Sequence, residues 1–298
     1  MLLNYTATPI QEIFDPLLDQ HGIRLLIKRE DQNHPHISGN KWWKLKCNLE
    51  EANRQHKKTI LTFGGAYSNH IYATAAAAKE CRFESIGIIR GEETLPLNPT
   101  LSFATSTGMK IQYVTRENYK IKSEHEFINS LIEQYGDFYL IPEGGTNQLA
   151  VKGTTVFAQE HLSKIEFDYL FLPVGTGGTI AGIINGLNGE RNVIGVPVLK
   201  NGRFLGDEIK PYLNQDYSNW SLLTEYHHGG YAKTTPALMT FIQQMEVEHQ
   251  LPLDHVYTGK LLWAVMEEIK KGAFQKGSTI LALHSGGLQG NNSKITNH

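Results

Sequence analysis

The chain has 298 residues, enough for one large α/β unit or for two domains that each bury a core without disulfides. Lys and Arg together number 28 against 30 Asp and Glu, and the net charge of -2 excludes a general attraction to nucleic acid or anionic membranes. Cys47 and Cys81 lack the spacing of a disulfide framework or a structural zinc site, so no metal is expected, and the expected partners are small molecules or copies of the chain.

Residues 1–15 do not resemble an export signal, because they lack a basic start, a long apolar run and a small-residue cleavage site. No later stretch approaches the ~18 consecutive apolar residues that a membrane-spanning helix requires. We therefore expect a cytoplasmic protein that does not enter a membrane.

Helical and strand-like segments alternate along most of the chain. The first predicted helix covers Trp42 to Lys57, with apolar residues at helical spacing and with Lys44, Asn48 and Glu51 on the other face. Seven apolar runs are predicted strands: Thr59 to Phe63, Glu84 to Arg90, Lys110 to Val114, Phe138 to Ile141, Tyr169 to Val174, Val193 to Val198 and Thr279 to His284. This alternation predicts βα units around a largely parallel sheet, where ligands bind beyond the carboxyl ends of the strands.

A lysine stands at the start of the first predicted helix, in the segment Ser38-Gly-Asn-Lys-Trp-Trp-Lys-Leu-Lys46. Asn40 is the expected N-cap, which puts Lys41 in the first helical turn. A cation is disfavoured at a helix N-terminus, and Lys44 lies three residues on along the same edge, so both effects favour the neutral amine of Lys41. A neutral amine can form a Schiff base with an aldehyde cofactor. A solvated lysine at a helix start is the alternative.

A second turn, Phe63-Gly-Gly-Ala-Tyr-Ser-Asn-His70, leads from a predicted strand into an alanine-rich helix. Ser68 is the predicted N-cap of that helix. Its hydroxyl and the free N–H groups behind it would bind an anion such as a substrate carboxylate, with Asn69 and His70 as neighbouring donors. Capping alone would also explain Ser68 without any function.

A third turn has the composition of a phosphate cradle. It joins a predicted strand to a helical segment and consists of Gly175, Thr176, Gly177, Gly178 and Thr179. Glycines let the backbone approach an anion closely, and the helix N-terminus contributes roughly half a positive charge. The turn lacks the Gly-Lys-Ser/Thr ending of a Walker loop and the Gly-x-Gly-x-x-Gly spacing of a dinucleotide site. A tight turn without a ligand is the alternative.

Seven motifs follow one another along the chain: Ser-Gly-Asn-Lys41-x-x-Lys-Leu, Gly-Gly-x-x-Ser68-Asn-His, Ile141-Pro-Glu-Gly-Gly-Thr-Asn147, Gly-Thr-Gly-Gly-Thr179, Gly230-Tyr231-Ala-Lys233, Tyr257-Thr-Gly-Lys260 and His284-Ser-Gly-Gly287. In these motifs, their order and their spacing, the chain resembles the D-cysteine desulfhydrase and aminocyclopropane-carboxylate deaminase branch of the tryptophan-synthase-β-like pyridoxal-phosphate enzymes. The resemblance extends from about Asp31 to Gly290.

The resemblance implies a site for pyridoxal 5'-phosphate. Lys41 would carry the cofactor as a Schiff base, and Asn69 would bond its phenolate oxygen. The turn from Gly175 to Thr179 would bind its phosphate with help from Lys44. Ser285 would face the pyridine nitrogen, and a hydroxyl partner would leave that nitrogen largely unprotonated.

The resemblance also implies how a small amino acid would be held. Ser68 would contact the substrate and assist proton transfer, next to the donors Asn69 and His70. Tyr231 and Tyr257 would line the substrate side, and Tyr257 is the candidate that assists proton transfer or protonates the leaving group.

The fold implied by the resemblance is a two-domain α/β fold of type II, with open parallel-rich sheets flanked by helices and the cofactor in the interdomain cleft. Residues 1–46 and 153–298 would form a large cofactor-binding domain. Residues 47–152 would form a smaller αβα domain inserted between them. Family members are generally homodimers, so a homodimer is expected.

Two positions depart from the family pattern. The aminocyclopropane-carboxylate deaminases have Glu directly after the tyrosine that matches Tyr257, and this chain has Thr258 there. Opening a cyclopropane ring that has no α-proton demands a strong electron sink, so the missing carboxylate argues against that activity. Tyr67 stands where the family usually has Gln before the Ser-Asn pair, and its phenol would alter the substrate pocket.

The expected reaction is therefore a pyridoxal-phosphate-dependent α,β-elimination from a small amino acid, as in D-cysteine desulfhydrase, which yields a keto acid, ammonia and the leaving group. The alternatives among enzymes are 1-aminocyclopropane-1-carboxylate deaminase and another lyase of this fold, such as a D-serine dehydratase-like enzyme. A protein that binds pyridoxal phosphate or phosphate without turnover is the alternative outside enzymes.

Overall fold

Two sheets of mainly parallel strands form the framework of the protein. The computed structural model describes residues 3–294, with side chains through residue 291. The strands are β1 Ile10–Ile13, β2 Arg24–Lys28, β3 Thr59–Gly65, β4 Glu84–Arg90, β5 Met109–Val114, β6 Tyr139–Ile141, β7 Tyr169–Val174, β8 Asn192–Pro197, β9 Trp220–Leu222 and β10 Thr279–Leu283. The α-helices are α1 Pro16–His21, α2 Asn40–Arg54, α3 Asn69–Glu80, α4 Pro99–Ser106, α5 Arg116–Lys120, α6 His125–Tyr135, α7 Gln148–Phe157, α8 Gly178–Leu187, α9 Leu205–Ile209, α10 Pro236–His249 and α11 Thr258–Lys270.

The two sheets differ in size and in strand direction. The larger sheet has six strands in the order β1-β2-β10-β7-β8-β9, with β1 antiparallel to β2 and the other pairs parallel. The smaller sheet has four parallel strands in the order β5-β4-β3-β6. The predicted α/β class with parallel-rich sheets flanked by helices is confirmed.

All seven predicted strands are present, with ends shifted by at most two residues. The sequence prediction missed β1, β2 and β9. Strand β1 has the polar pair Gln11 and Glu12 at a sheet edge, and β9 spans only three residues. Short edge strands with polar residues lack the continuous apolar run that marks a buried parallel strand.

Strand β7 shows how the core is divided between the two faces of the larger sheet. Leu170, Leu172 and Val174 pack with α2, α7 and α8 on one face. Phe171 points to the other face, where α1, α10 and α11 lie. Because successive side chains of a strand alternate in direction, a strand covered on both faces is apolar throughout.

Two sequence predictions about helix α2 are wrong. The residue before the helix, in the N-cap position, is Gly39 and not Asn40, which is the first helical residue. Lys44 and Asn48, expected on the polar face, are buried. They are buried because the loop after β6 packs against this side of the helix, and Asn48 exchanges hydrogen bonds with Asn147 there.

Gly39 brings the start of α2 against the turn that follows β10. Its φ of +71° lies in the left-handed region, which favours glycine. A Cβ at Gly39 would lie 1.8 Å from the carbonyl oxygen of Ser285, and the same carbonyl accepts a hydrogen bond from the Asn40 N–H at 3.3 Å. Two motifs that are about 240 residues apart in sequence therefore meet directly at this glycine.

The predicted domain boundaries fall within helices. All four strands of the smaller sheet lie inside residues 47–152, and all six strands of the larger sheet lie outside that segment. The boundaries after residues 46 and 152 cut α2 and α7, and these two helices pack against each other. The division into two domains stays a prediction.

Candidate active site

A cavity of about 630 Å³ lies at the carboxyl ends of strands from both sheets. This volume is in the range of small-molecule and cofactor sites. The predicted site residues that line it are Lys41, Lys44, Ser68, Asn69, His70, Gly175, Thr176, Gly177, Thr179, Tyr231, Tyr257 and Ser285. Gly178 is buried behind the wall, where a Cβ would meet the Thr146 side chain at 2.9 Å.

Lys41 lines the cavity from the first turn of α2. Its Nζ donates to Oδ1 of Asn40 at 3.3 Å. Burial lowers the pKa of Lys41 to about 8, which raises the neutral fraction of the amine near neutral pH. The sequence prediction attributed a neutral amine to the helix end and to Lys44, whereas desolvation is the cause in the folded protein.

Lys44 is almost inaccessible to solvent, with 1% exposure. Its Nζ donates to the carbonyl of Gly144 at 2.6 Å and to Oγ1 of Thr146 at 2.8 Å. Burial and then the charge of Lys41 lower its pKa well below the usual value. Thr146 also contacts Oγ1 of Thr176 at 2.6 Å, so Lys44 is connected to the phosphate turn through one hydroxyl.

The glycine-rich turn has the geometry of an anion site. Gly177 precedes α8 with a φ of +79°, and the first N–H groups of a helix have no intrahelical partners. Thr179 Oγ1 accepts a hydrogen bond from Nδ2 of Asn40 at 2.8 Å, which connects this turn to the helix that carries Lys41. The donors of this turn therefore face the same cavity as the Lys41 amine.

These groups fit pyridoxal phosphate, the cofactor that the resemblance implies. The turn before α8 offers backbone donors for a phosphate, and Lys41 offers an amine with a lowered pKa for an aldehyde. Ser285 lines the cavity, and its hydroxyl forms no hydrogen bond with other protein side chains in the part of the chain that has described side chains. It is available to a ligand.

We expect the rate at which the cofactor-free protein forms a Schiff base with the cofactor to depend on a group that titrates near pH 8. The neutral amine of Lys41 is the reacting form, so the rate should rise about tenfold per pH unit below 8 and level off above it. Stopped-flow absorbance over this range measures the rate, and a free lysine analogue corrects for ionisation of the cofactor itself. A rate that keeps rising to the ordinary lysine pKa of about 10.4 would contradict burial as the cause.

Ser68 is the N-cap of α3, as predicted. Its Oγ accepts hydrogen bonds from the N–H groups of His70 at 3.2 Å and Ile71 at 3.3 Å. These N–H groups were expected to be free for an anion, but the serine itself occupies them. The hydroxyl proton of Ser68 is still free to be donated to a ligand.

The His70 side chain does not supply the donor that the sequence predicts. Its ring is 2% exposed and its Nε2 lies 2.8 Å from Oγ1 of Thr62. The other ring nitrogen is 3.5 Å from Oγ1 of Thr74. Burial, followed by the charges of Lys41 and Lys44, lowers its pKa well below the usual value, so the ring is a neutral structural group.

Removal of the Ser68 hydroxyl should have two separable effects. We expect Ser68→Ala to lower the free energy of unfolding by about 1 kcal/mol, because the cap of α3 is lost. Asn98 caps α4 through its Oδ1 and does not line the cavity, so Asn98→Ala should cost a similar amount. Urea unfolding measures both. Only Ser68→Ala should also raise KM. An equal KM in the two variants would show that Ser68 does not contact the substrate.

Tyr257 lies over the phosphate turn and against Tyr231. The two rings meet edge to face with centroids 6.1 Å apart, and a Cβ on Gly175 would lie 3.3 Å from the Tyr257 hydroxyl. Burial, followed by Tyr231 and then Asp254, raises the pKa of Tyr257 well above 10. The phenol therefore stays protonated and can donate a hydrogen bond to a ligand.

Asp254 holds the backbone that carries Tyr257. Its Oδ2 accepts from the N–H groups of Val256 and Tyr257, both at 2.8 Å, and its Oδ1 accepts from Thr258. The carboxylate also lines the cavity. Asp254 could not be found from local sequence, because its role depends on a turn over the next three residues that contains no glycine.

Other lining residues were also missed. Arg90 is the last residue of β4 and Glu143 follows β6, and the rule that ligands bind beyond the carboxyl ends of parallel strands could have identified them. Gln289 donates through Nε2 to Oδ1 of Asn69. Tyr67 was expected to alter the pocket, and its ring is 63% exposed at the cavity wall, so it does not fill the cavity.

Metal-binding clusters and membrane-spanning helices are both absent from the described part of the chain. Residues 3–294 bring together no group of three or more His, Cys, Asp or Glu side chains that could hold a metal ion. No helix in this range is long and apolar enough to cross a bilayer.

The sequence and structure were compared with known proteins. The bifunctional D-cysteine desulfhydrase/1-aminocyclopropane-1-carboxylate deaminase, mitochondrial, of Arabidopsis thaliana is 30% identical over 318 residues, which cover 98% of this chain and 79% of that protein. D-cysteine desulfhydrase of Klebsiella pneumoniae is 26% identical over 304 residues, which cover 94% and 91% of the two chains. The crystal structure of an ACC deaminase homologue superposes with a TM-score of 0.84 and 26% identity, covering 97% and 92%.

A family model gives the same result from the sequence. The model described as pyridoxal-phosphate dependent enzyme matches residues 1–286. The match covers most of the chain and confirms the predicted fold type and the predicted cofactor. The chain therefore belongs to the family of pyridoxal-phosphate dependent enzymes.

Proposed function

We propose that this enzyme eliminates the β-substituent of a small D-amino acid, as a D-cysteine desulfhydrase does, and releases a keto acid, ammonia and the leaving group. The proposal rests on one observation: Lys41 and Tyr257 line the same cavity. The pKa of Lys41 is lowered and the pKa of Tyr257 is raised. The lysine is available as a base, and the tyrosine stays protonated, so that it can donate a hydrogen bond to the leaving group. Relatives from Arabidopsis thaliana and Klebsiella pneumoniae that are named D-cysteine desulfhydrase support the substrate class.

Removal of the α-proton and loss of the β-substituent each have a residue assigned to them, and water then hydrolyses the released aminoacrylate to the keto acid and ammonia. Pyridoxal phosphate, held in this cavity, would supply an electron sink for the substrate Cα. The Lys41 amine accepts the α-proton, and the Tyr257 hydroxyl donates a hydrogen bond to the departing sulfur. The Ser68 hydroxyl donates to the substrate carboxylate, and the Tyr231 ring restricts the position of Tyr257 from the side.

The cofactor-holding residues are part of the same proposal. The turn from Gly175 to Thr179 would bind the phosphate, and Lys44 would support it through the Thr146 hydroxyl. Asn69 would bond the phenolate oxygen, with Gln289 fixing its amide. Ser285 would face the pyridine nitrogen with its available hydroxyl.

Ring opening of 1-aminocyclopropane-1-carboxylate is the second candidate. Thr258 was expected to count against it, but Thr258 does not line the cavity. The Asp254 carboxylate lines the cavity and bonds to Thr258, so the site has an acidic group in this region. The relative from Arabidopsis thaliana is named for both activities.

The proposal is tested by measuring keto acid release from D-cysteine, L-cysteine, D-serine and 1-aminocyclopropane-1-carboxylate with one cofactor-loaded preparation. We expect the highest kcat/KM for D-cysteine, and the Lys41→Ala variant serves as the blank. A preference for D-serine or for the cyclopropane substrate would replace the proposed reaction by that alternative. A coloured protein that turns over none of the four would indicate binding without turnover.

Location and assembly belong to the same proposal. Both cysteines are free thiols, which agrees with the reducing cytoplasm. A homodimer is proposed from the family resemblance and is tested by light scattering of the purified protein. A mass of one chain would reject it.

A further inference from the structure

Arg90 lies at the cavity without a role in the reaction described above. It is the last residue of β4 and is paired in register with Gly65 of β3, where the turn towards Ser68 begins. A Cβ on Gly65 would lie 3.6 Å from Nη2 of Arg90, so the guanidinium is close to this turn. Arg90 and Gly65 both line the cavity.

The guanidinium of Arg90 has no acidic partner among the residues whose side chains are described. Glu143 lines the same cavity, but its carboxylate is 3.2 Å from Nζ of Lys122. Glu92 and Glu93 follow Arg90 in the chain and are exposed, and neither forms an ion pair with it. Arg90 is solvent-exposed, so its guanidinium keeps one net positive charge at the rim of the cavity.

The ring of Tyr119 gives this cation a defined position. The Arg90 guanidinium lies 5.5 Å and the Lys122 ammonium 4.8 Å from the ring centroid. Tyr119 is buried in the core of the smaller sheet, so it is a rigid support. An arginine held against an aromatic face can present its planar fork of N–H donors to an oxyanion.

We propose that Arg90 binds an anionic group on the side chain of the substrate, so that the enzyme prefers amino acids whose β-substituent carries a negative charge. This inference rests on the proposed function, because it takes the α-carboxylate to be held at Ser68. The class includes sulfonate and sulfate substituents, which can leave as sulfite and sulfate. A β-carboxylate carries the same type of charge but cannot leave, so it can report binding without elimination. A neutral side chain of the same shape would leave the guanidinium unpaired.

D-aspartate and D-asparagine form a matched pair of probes, because they have the same shape and differ in the charge of the side chain. Dissociation constants are measured by titration of the cofactor-loaded enzyme. We expect D-aspartate to bind about tenfold more tightly than D-asparagine. This preference should disappear in Arg90→Met and be partly kept in Arg90→Lys.

Arg203→Met is the control, because Arg203 is exposed, does not line the cavity and removes the same charge. It should keep the preference for D-aspartate. Equal affinity of the two probes for the unaltered enzyme would overturn the inference. Equal weakening of both probes by Arg90→Met would also overturn it, since Arg90 would then bind the α-carboxylate. If D-cysteine is not turned over but the Arg90-dependent preference is found, the proposed reaction fails and the anion subsite stands.

Discussion

Replacement of Lys41 by alanine is expected to abolish turnover and to remove the visible absorption band of the cofactor-loaded enzyme. The amine lines the cavity, and burial lowers its pKa to about 8. Loss of both a covalent anchor and a base should reduce kcat on the order of 10³-fold or more. The measurement is an absorption spectrum together with keto acid release from D-cysteine.

Lys46→Ala is the matched control for this prediction. Lys46 lies on the same helix, its ammonium is over the Trp42 ring, and it does not line the cavity. It should keep the band and the activity, apart from a small loss of stability. A Lys41→Ala protein that keeps its visible band would show that another amine holds the cofactor.

Replacement of Thr258 by glutamate is expected to lower the free energy of unfolding by about 3 kcal/mol or more. Thr258 has 0% exposure, and its Oγ1 donates to Oδ1 of Asp254 at 2.7 Å and accepts from the Asp254 N–H at 2.9 Å. A glutamate would bury a second carboxylate against Asp254, and the nearby Lys260 ammonium already donates to the carbonyls of His227 and Gly230. Urea unfolding measures the loss.

Thr258→Ser keeps the hydroxyl and should cost much less, because only a methyl group is removed. Unchanged stability of Thr258→Glu would mean that its carboxylate reaches the cavity and that the family pattern transfers directly to this position. The expected instability means that the difference from the deaminases extends to the packing around Asp254. A single substitution would not recreate their site.

The sequence predicted the three turns of the site because each has a strong local signal. Gly175 to Thr179 follow a fully apolar strand, and Ser68 precedes an alanine-rich helix, so turn chemistry and capping apply within a few residues. The resemblance then identified the cofactor. Neither depended on contacts between distant parts of the chain.

The contacts between the turns could not be predicted in this way. Asn40 bonds to Thr179, 139 residues away, and Lys44 bonds to Thr146, 102 residues away. Asn40 was assigned a capping role because local propensity favours it there, but the tertiary contact uses its side chain. His70 was expected to face a ligand. In the structure its Nε2 is hydrogen-bonded to Oγ1 of Thr62, and no local sequence pattern indicates this contact.

The identity of the lysine that holds the cofactor is tested most directly by borohydride reduction of the loaded enzyme, followed by peptide mass spectrometry. Reduction fixes the cofactor covalently on the amine that holds it. Lys41 and Lys44 line the cavity, and Lys260 is buried outside it; all three have lowered pKa values, which favour the reactive neutral amine. Our account predicts the modification on Lys41 alone, and modification of Lys44 or Lys260 in its place would contradict it.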